Sequence, residues 1–290
     1  MDSMHSPGGP ASFAALHQAG DPLVLPNAWD AASAAALVTA GFPAIGTTSL
    51  GVAAQHGLPD ASRALRDLTH RLADLLGRLP CAVSADIADG FADEPSAVAE
   101  YAASLDVDGV NVEDCTGGRL VPPQVHAAKV SAIKERRPDL FVNARVDTFW
   151  TGQDATVPAT VERALRYVAA GADGVFVPGR LSGAQIREIT SAVPVPVNVL
   201  ASPDHTVPDL ARLGVRRVSC GSLLYRAALD RAVEVATRLR DGDPAPPATS
   251  YAAVDERTVR HFLVPGRSPV ETTARGRLRS GGPGWEPPVT

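Results

Sequence analysis

The sequence predicts an α/β protein, a (β/α)8 barrel of the TIM type. Short continuous apolar runs recur eight times, each is followed by a segment with helical spacing, and glycine stops such as AGF, AGADG and LGVRR stand before new runs. Continuous rather than alternating hydrophobicity suits strands buried on both faces, as in parallel sheets. Eight strand–helix alternations close most naturally into a barrel. A doubly wound sheet is the competing architecture, but no G-x-G-x-x-G follows the first run.

The strands are expected at Leu23–Pro26, Ala44–Thr47, Ala82–Asp86, Gly109–Val112, Leu140–Ala144, Gly174–Val177, Val195–Val199 and Arg217–Ser219. Between them, Asp60–Leu79 places Ala61, Leu65, Leu68, Leu72, Leu75, Leu76 and Leu79 on one stripe at three-and-four spacing, an amphipathic helix. In Asp93–Leu105, Pro95 suits a first helical turn, and Ala97, Val98, Tyr101 and Leu105 form an inner face. Further helices fit Ala28–Ala40, Pro122–Arg137, Thr156–Ala170, Ser182–Ala192, Pro203–Leu213 and Ser222–Arg240. The barrel then occupies residues 21–240, preceded by an extension over 1–20. The Pro-rich DGDPAPPATS leads into a helix near Tyr251–Leu263, so 241–264 reads as linker and C-terminal helix. Residues 265–290, rich in Gly, Pro and Arg, read as a disordered tail in which RGRLR (Arg275–Arg279) is a solvated basic run.

The chain has 290 residues and is 45% hydrophobic but only 5% aromatic, so Ala, Val and Leu must fill a large core. A net charge of −5 with scattered basic residues argues against nucleic-acid binding. Cys81, Cys115 and Cys220 are three in number and far apart, which fits neither a disulfide framework nor a zinc site. The first residues lack a basic region followed by an apolar stretch, and Ala31–Gly46, the longest apolar region, is too short and interrupted to span a membrane. A cytoplasmic metabolic protein without a membrane partner is expected.

Function in a barrel sits at the C-terminal ends of the strands. Those ends carry Asn27, Trp29 and Asp30; Thr48, Ser49 and Gly51; Asp86 and Asp89; Glu113 and Asp114; Asn143, Arg145 and Asp147; and Asn198. Acids end strands three and four, and an arginine ends strand five. Carboxylates on adjacent strand ends can share a hard divalent cation such as Mg²⁺. An arginine facing them can grip a substrate carboxylate through two hydrogen bonds. Together they suit a small 2-oxo acid whose enolate the metal stabilises. The competing reading makes each aspartate a helix cap and the arginine a structural ion pair.

At these residues the chain resembles the isocitrate lyase / phosphoenolpyruvate mutase superfamily. The likeness runs through LPNAWDAASA, TTSLGVAAQHGLPD, SADIADGFAD, GVNVEDCTGGRL, NARVDTF, GADGVFVPG and VNVL, from about Leu25 to Arg240. The resemblance implies Mg²⁺-dependent making or breaking of C–C or C–P bonds beside a 2-oxo acid. It also implies a homo-oligomer, a dimer or tetramer, with a C-terminal helix exchanged between subunits. Ser49, Leu50 and Gly51 match the stretch that holds the substrate carboxylate, and Asp60 an acid near metal-bound water. Asp86 matches the principal metal ligand, Glu113 the acid of the ED motif, Arg145 the substrate-binding arginine and Asn198 a substrate-contacting asparagine.

The departures are as informative. The second acid expected two residues after Asp86 is replaced by Ala88, with Asp89 one later, which weakens the expectation of Mg²⁺. Alternate residues of an extended segment face opposite sides, so Asp89 can serve as a metal ligand only if the loop bends, as Gly90 would permit. The Lys-[Lys/Arg]-Cys-Gly-His loop of the lyases and the Lys-Lys-Asn-Ser-type loop of the mutases are both absent; that region reads CTGGRLVPPQVH. Cys115 and His56 join Asp60 as candidate acids or bases, and Trp29 as a pocket wall. His70, His126 and His261 lie on expected helices and read as surface residues. The expected activity is a C–C lyase acting on a small 2-oxo or 2-hydroxy acid. The alternatives are phosphonopyruvate hydrolase- or mutase-type C–P chemistry and a metal-independent, repurposed carboxylate-binding barrel.

Overall fold

A computed structural model describes residues 12–18, 20–60 and 62–263. Eight parallel strands form the barrel: β1 (Leu23–Leu25), β2 (Ala44–Thr47), β3 (Ala82–Asp86), β4 (Gly109–Glu113), β5 (Phe141–Arg145), β6 (Gly174–Phe176), β7 (Val197–Leu200) and β8 (Arg217–Ser219). The ring closes through the first strand. Leu23–Leu25 pairs with β8, and the continuing Asn27–Ala28 segment pairs with β2. Pro26 stands at the changeover, where it has no N–H to offer either ladder, while its carbonyl accepts from Gly46 N at 2.8 Å.

The helices that follow the strands are α1 (Ala31–Thr39), α2 (Leu65–Leu76), α3 (Pro95–Ser104), α4 (Pro123–Arg136), α5 (Val157–Ala169), α6 (Gly183–Ala192), α7 (Val207–Arg212) and α8 (Leu223–Arg240), with α9 (Tyr251–Phe262) last. Several starts are set by local chemistry. Asp30, Ser182 and Thr206 each form a capping box with the residue three along, so α1 and α7 begin later than apolar spacing alone suggests. The expected glycine stops at Gly41, Gly171 and Gly214 all adopt positive φ.

Two cores result. The larger lies between strands and helices, and His126 is buried in it rather than on the surface. Burial, with Lys129 and Arg163 nearby, pushes its imidazole down to about 3, so it is neutral at ordinary pH. The smaller core plugs the barrel floor: Phe13 from a short helix (Phe13–Leu16) packs with Leu23, Leu25, Ala44 and Phe141. The Phe13 and Phe141 rings meet edge to face at 5.3 Å, and His17 stacks on Phe141 at 4.4 Å. Gly109 makes the insertion feasible, since a Cβ there would stand 2.7 Å from the Phe13 ring. The stretch read as an N-terminal extension therefore includes a plug. The expected disordered tail lies outside the described residues.

In this chain α9 packs on its own α1, with Thr39 Oγ1 and His261 Nε2 3.4 Å apart and Phe262 against the core. Neither α8 nor α9 has a fully buried residue.

Phe13→Ala is expected to destabilise the fold by about 3–5 kcal/mol, the cost of deleting a buried aromatic ring. Chemical denaturation of the full chain measures it, and an unchanged midpoint would show that the plug contributes nothing.

Candidate active site

The strand ends open into a cavity of about 660 Å³. Inward-facing residues alternate along each strand, and the uppermost inward layer brings together Asp86, Glu113 and Arg145. Glu113 and Arg145 are direct cross-strand neighbours in the β4–β5 register, and their side chains meet at 2.7 Å. Arg145 Nε donates to Asp147 Oδ1 at 2.6 Å. The guanidinium also lies over Trp150 and Phe176, 5.7 and 5.9 Å from the ring centroids. Its Nη2 has no hydrogen-bond partner among the described residues.

Asp86 is fastened less tightly: its carboxylate accepts from Ser49 N at 3.3 Å and Ala88 N at 3.4 Å. Ser49 and Leu50 form the wall beside it, with Asp60 on the following loop. Cys115 lines the cavity too. It starts a two-strand hairpin, Cys115–Thr116 with Arg119–Leu120.

Four acids thus crowd one arginine. Burial pushes Glu113 up to about 8, with Asp147, Asp86 and Asp60 adding to the rise against the pull of Arg145. Burial likewise raises Asp86, opposed by Arg145 and reinforced by Asp60. Asp147 rises to about 6, mainly by burial, with Arg145 pulling it down and Asp114 pushing it up. Burial works against the charge of Arg145, but Glu113, Asp147 and Asp86 outweigh it and keep the guanidinium charged. Burial, with Asp147 and Glu113, pushes the Cys115 thiol up to about 11, so it holds its proton at neutral pH.

This donor set fits a hard cation. It consists of carboxyl oxygens, three of the four groups raised by burial and by one another in a way a bound cation would reverse, and Asp147 Oδ2 is buried with no hydrogen-bond partner. Among the described residues no three His, Cys, Asp or Glu side chains form a ready-made metal cluster. An ion held by one or two carboxylates and its own waters, the habit of Mg²⁺, matches that arrangement.

Five expected site residues stand elsewhere. The chain does bend after Asp86, with positive φ at Ala88 (48°), Gly90 (90°) and Phe91 (55°). The bend carries Asp89 away from the cavity: its carboxylate accepts from Phe91 N at 3.0 Å and Thr116 Oγ1 at 2.8 Å, so it is no metal ligand in this arrangement. Ala88 is itself packed into the core. Asn198 sits one inward layer below the cavity, 1% exposed. Gly51 is buried beneath Trp29, whose ring packs edge to face on Tyr225 at 5.3 Å. His56 ends the Ser49–Gln55 helix, and its Nδ1 donates back to the Val52 carbonyl at 2.9 Å.

Asn111, Trp150 and Arg226 line the cavity without having been singled out for it, and the strand-end residues Asn27 and Asp147 line it as well. Asn111 had a legible signal: it lies two residues before Glu113 in a strand, hence on the same inward face. Asp114, beside Glu113 but on the opposite face, is wholly structural. It accepts from Asp147 N at 2.8 Å, Arg163 at 2.9 Å and the Tyr167 hydroxyl at 2.6 Å.

Residues 13–240 match the family model described as phosphoenolpyruvate phosphomutase. An uncharacterized protein of Mycobacterium tuberculosis is 50% identical over 248 residues, covering 86% of this chain and 96% of its own. The 2-methylisocitrate lyase of Escherichia coli K12 is 31% identical over 257 residues, covering 80% of this chain and 83% of its own. A crystal structure of phosphonopyruvate hydrolase in complex with oxalate and Mg²⁺ superposes with a TM-score of 0.74 at 25% identity, over 87% of this chain and 95% of that one. With the strand-end acids and arginine in one cavity and the family model spanning the barrel, the chain belongs to the phosphoenolpyruvate phosphomutase family, within the isocitrate lyase / phosphoenolpyruvate mutase superfamily of (β/α)8-barrel enzymes.

Proposed function

We propose that this protein is a carbon–carbon lyase acting on a small 2-oxo or 2-hydroxy carboxylic acid. The observation that carries the reading is the convergence of Asp86, Glu113 and Arg145, from three consecutive strands, on one cavity. Arg145, already clamped by Glu113 and Asp147, offers Nη2 to a substrate carboxylate. Ser49 and Leu50 receive it from the facing wall. Asp86 and Glu113, with Asp60 beside them, would hold Mg²⁺, which supplies electrophilic stabilisation of an enolate oxygen when bound. Of the three candidate proton carriers, Asp60 and Cys115 line the cavity and His56 does not. Asp60 takes the proton that leaves before cleavage, and the protonated Cys115 thiol returns one to the enolate carbon.

C–P chemistry ranks second. A phosphonate carries more negative charge than a carboxylate, and Arg119, the cation after strand four, is exposed and does not line the cavity. A metal-independent carboxylate binder is the third reading, favoured only by Ala88.

Two further parts of the proposal concern assembly and place. Leu229, Val233 and Leu239 of α8 are 49%, 66% and 48% exposed, and no residue of that helix is buried. A second copy that accepts α8 against its own barrel would cover this stripe, giving a dimer or a tetramer built from dimers. Among the described residues no helix is long and apolar enough to cross a membrane. The three cysteines are unpaired, which suits the reducing cytoplasm.

The activity test is incubation with Mg²⁺ and a panel of 2-oxo and 2-hydroxy di- and tricarboxylic acids, following release of a 2-oxo product. Cleavage of at least one is expected, and Arg145→Lys should lower kcat/KM by about 10²–10³-fold because the planar fork is lost. Turnover of phosphonopyruvate with none of the panel cleaved would transfer the reading to C–P chemistry. Light scattering should give a mass above one chain, with Val233→Glu shifting it toward the monomer; a monomeric wild type would refute the exchange.

A further inference from the structure

Below the active-site layer the barrel interior is polar where bulky aliphatic residues usually pack. Ser84, Asn111, Asn143, Asn198 and Arg217 face inward there, and each is 5% exposed or less. Arg217 starts β8 and reaches across the barrel to β4, where Nη2 donates to Asn111 Oδ1 at 3.2 Å. That oxygen also accepts from Asn143 Nδ2 at 2.9 Å. The remaining Arg217 nitrogens, Nε and Nη1, are buried with no partner. Asn198 is the β7 register neighbour of Arg217, and both ends of its amide are buried and unpartnered. Ser84 Oγ and His17 Nε2 are in the same condition. His17 Nδ1 donates to the Phe13 carbonyl at 2.8 Å, which leaves Nε2 as a bare acceptor.

The interior layer therefore holds one full positive charge and several free N–H donors. Among the described residues no carboxylate pairs with Arg217; Asp86 acts on it only through space. Water could satisfy the hydrogen bonds but not the charge, and an uncompensated buried ion is strongly unfavourable. The Phe13 ring, 6.0 Å from the guanidinium, offers only its weak quadrupole. Ser219 and Asn111, which line the cavity above, mark the way in.

We propose that Arg217 and Asn198 form a buried binding site for a small monovalent anion, of the size of a halide or formate, beneath the active-site cavity. The anion accepts from Arg217 Nε and from Asn198 Nδ2 and neutralises the guanidinium, while Nη1, on another edge of the guanidinium, is left to a buried water. The site is independent of which reaction the enzyme catalyses.

The test is thermal unfolding of the full chain in sodium bromide, sodium formate and, at matched ionic strength, sodium sulfate, for wild type and Asn198→Asp. The variant carries its own carboxylate beside Arg217. Wild type should gain about 3 °C in Tm in bromide or formate over sulfate, by mass action on the folded state. Asn198→Asp should show no anion-specific gain. A lower saturating concentration for formate than for bromide would identify a carboxylate as the preferred anion, and the reverse a halide. Wild-type crystals soaked in bromide provide a readout independent of the variant's folding, with an anomalous peak expected beside Arg217 Nε. Parallel Tm shifts in both proteins, or no anomalous peak at Arg217, would overturn the proposal.

Discussion

The clamp on Arg145 is the constraint on which the site depends. Two carboxylates hold one guanidinium, and all three side chains are largely withdrawn from water. Burying such charges costs several kcal/mol per ion and is offset only by near-ideal geometry. The barrel supplies that geometry through register. Glu113 and Arg145 are cross-strand partners, and Asp147 follows Arg145 on a loop whose backbone is tied to Asp114. Asp114 in turn is held by Arg163 and Tyr167 of α5. The outer helix layer thus determines where a functional acid stands, and a defect at Tyr167 would be felt at Asp147.

A second consequence is an imbalance of charge. Asp60, Asp86, Glu113 and Asp147 share the cavity with two arginines, of which Arg145 is the one clamped by acids, and three of the four acids are pushed above their ordinary range. Such perturbation is typical of sites built for a charged ligand. The replacement at position 88 does not remove this feature. Ala88 lies in a left-handed turn and packs into the core, so its side chain is not on the cavity surface. The acid surplus comes from strand ends, and it survives the altered loop.

Most of the barrel was legible because buried parallel strands print as continuous apolar runs, and all eight fall within a residue or two of their expected places. Short elements were not. The Ser49–Gln55 helix and the Cys115–Leu120 hairpin are too brief for any period to emerge. At the site, Asp86, Glu113 and Arg145 were readable as strand ends, where alternation fixes the inward face. Asp89, His56 and Trp29 were not, because they lie beyond the strands, where a single turn re-aims the chain. Asn198 and Arg217 show the converse. Both sit inside strands and face inward, but one layer too deep to touch the cavity.

The central claim is that the acid surplus is a cation-dependent site for an enolate. Calorimetric titration with oxalate, a stable mimic of the pyruvate enolate, tests it with Mg²⁺ and again in excess chelator, for wild type and Asp86→Asn. The account predicts binding only when Mg²⁺ is present, and its loss in Asp86→Asn. Equal affinity with and without the metal would contradict it, as would no binding under either condition.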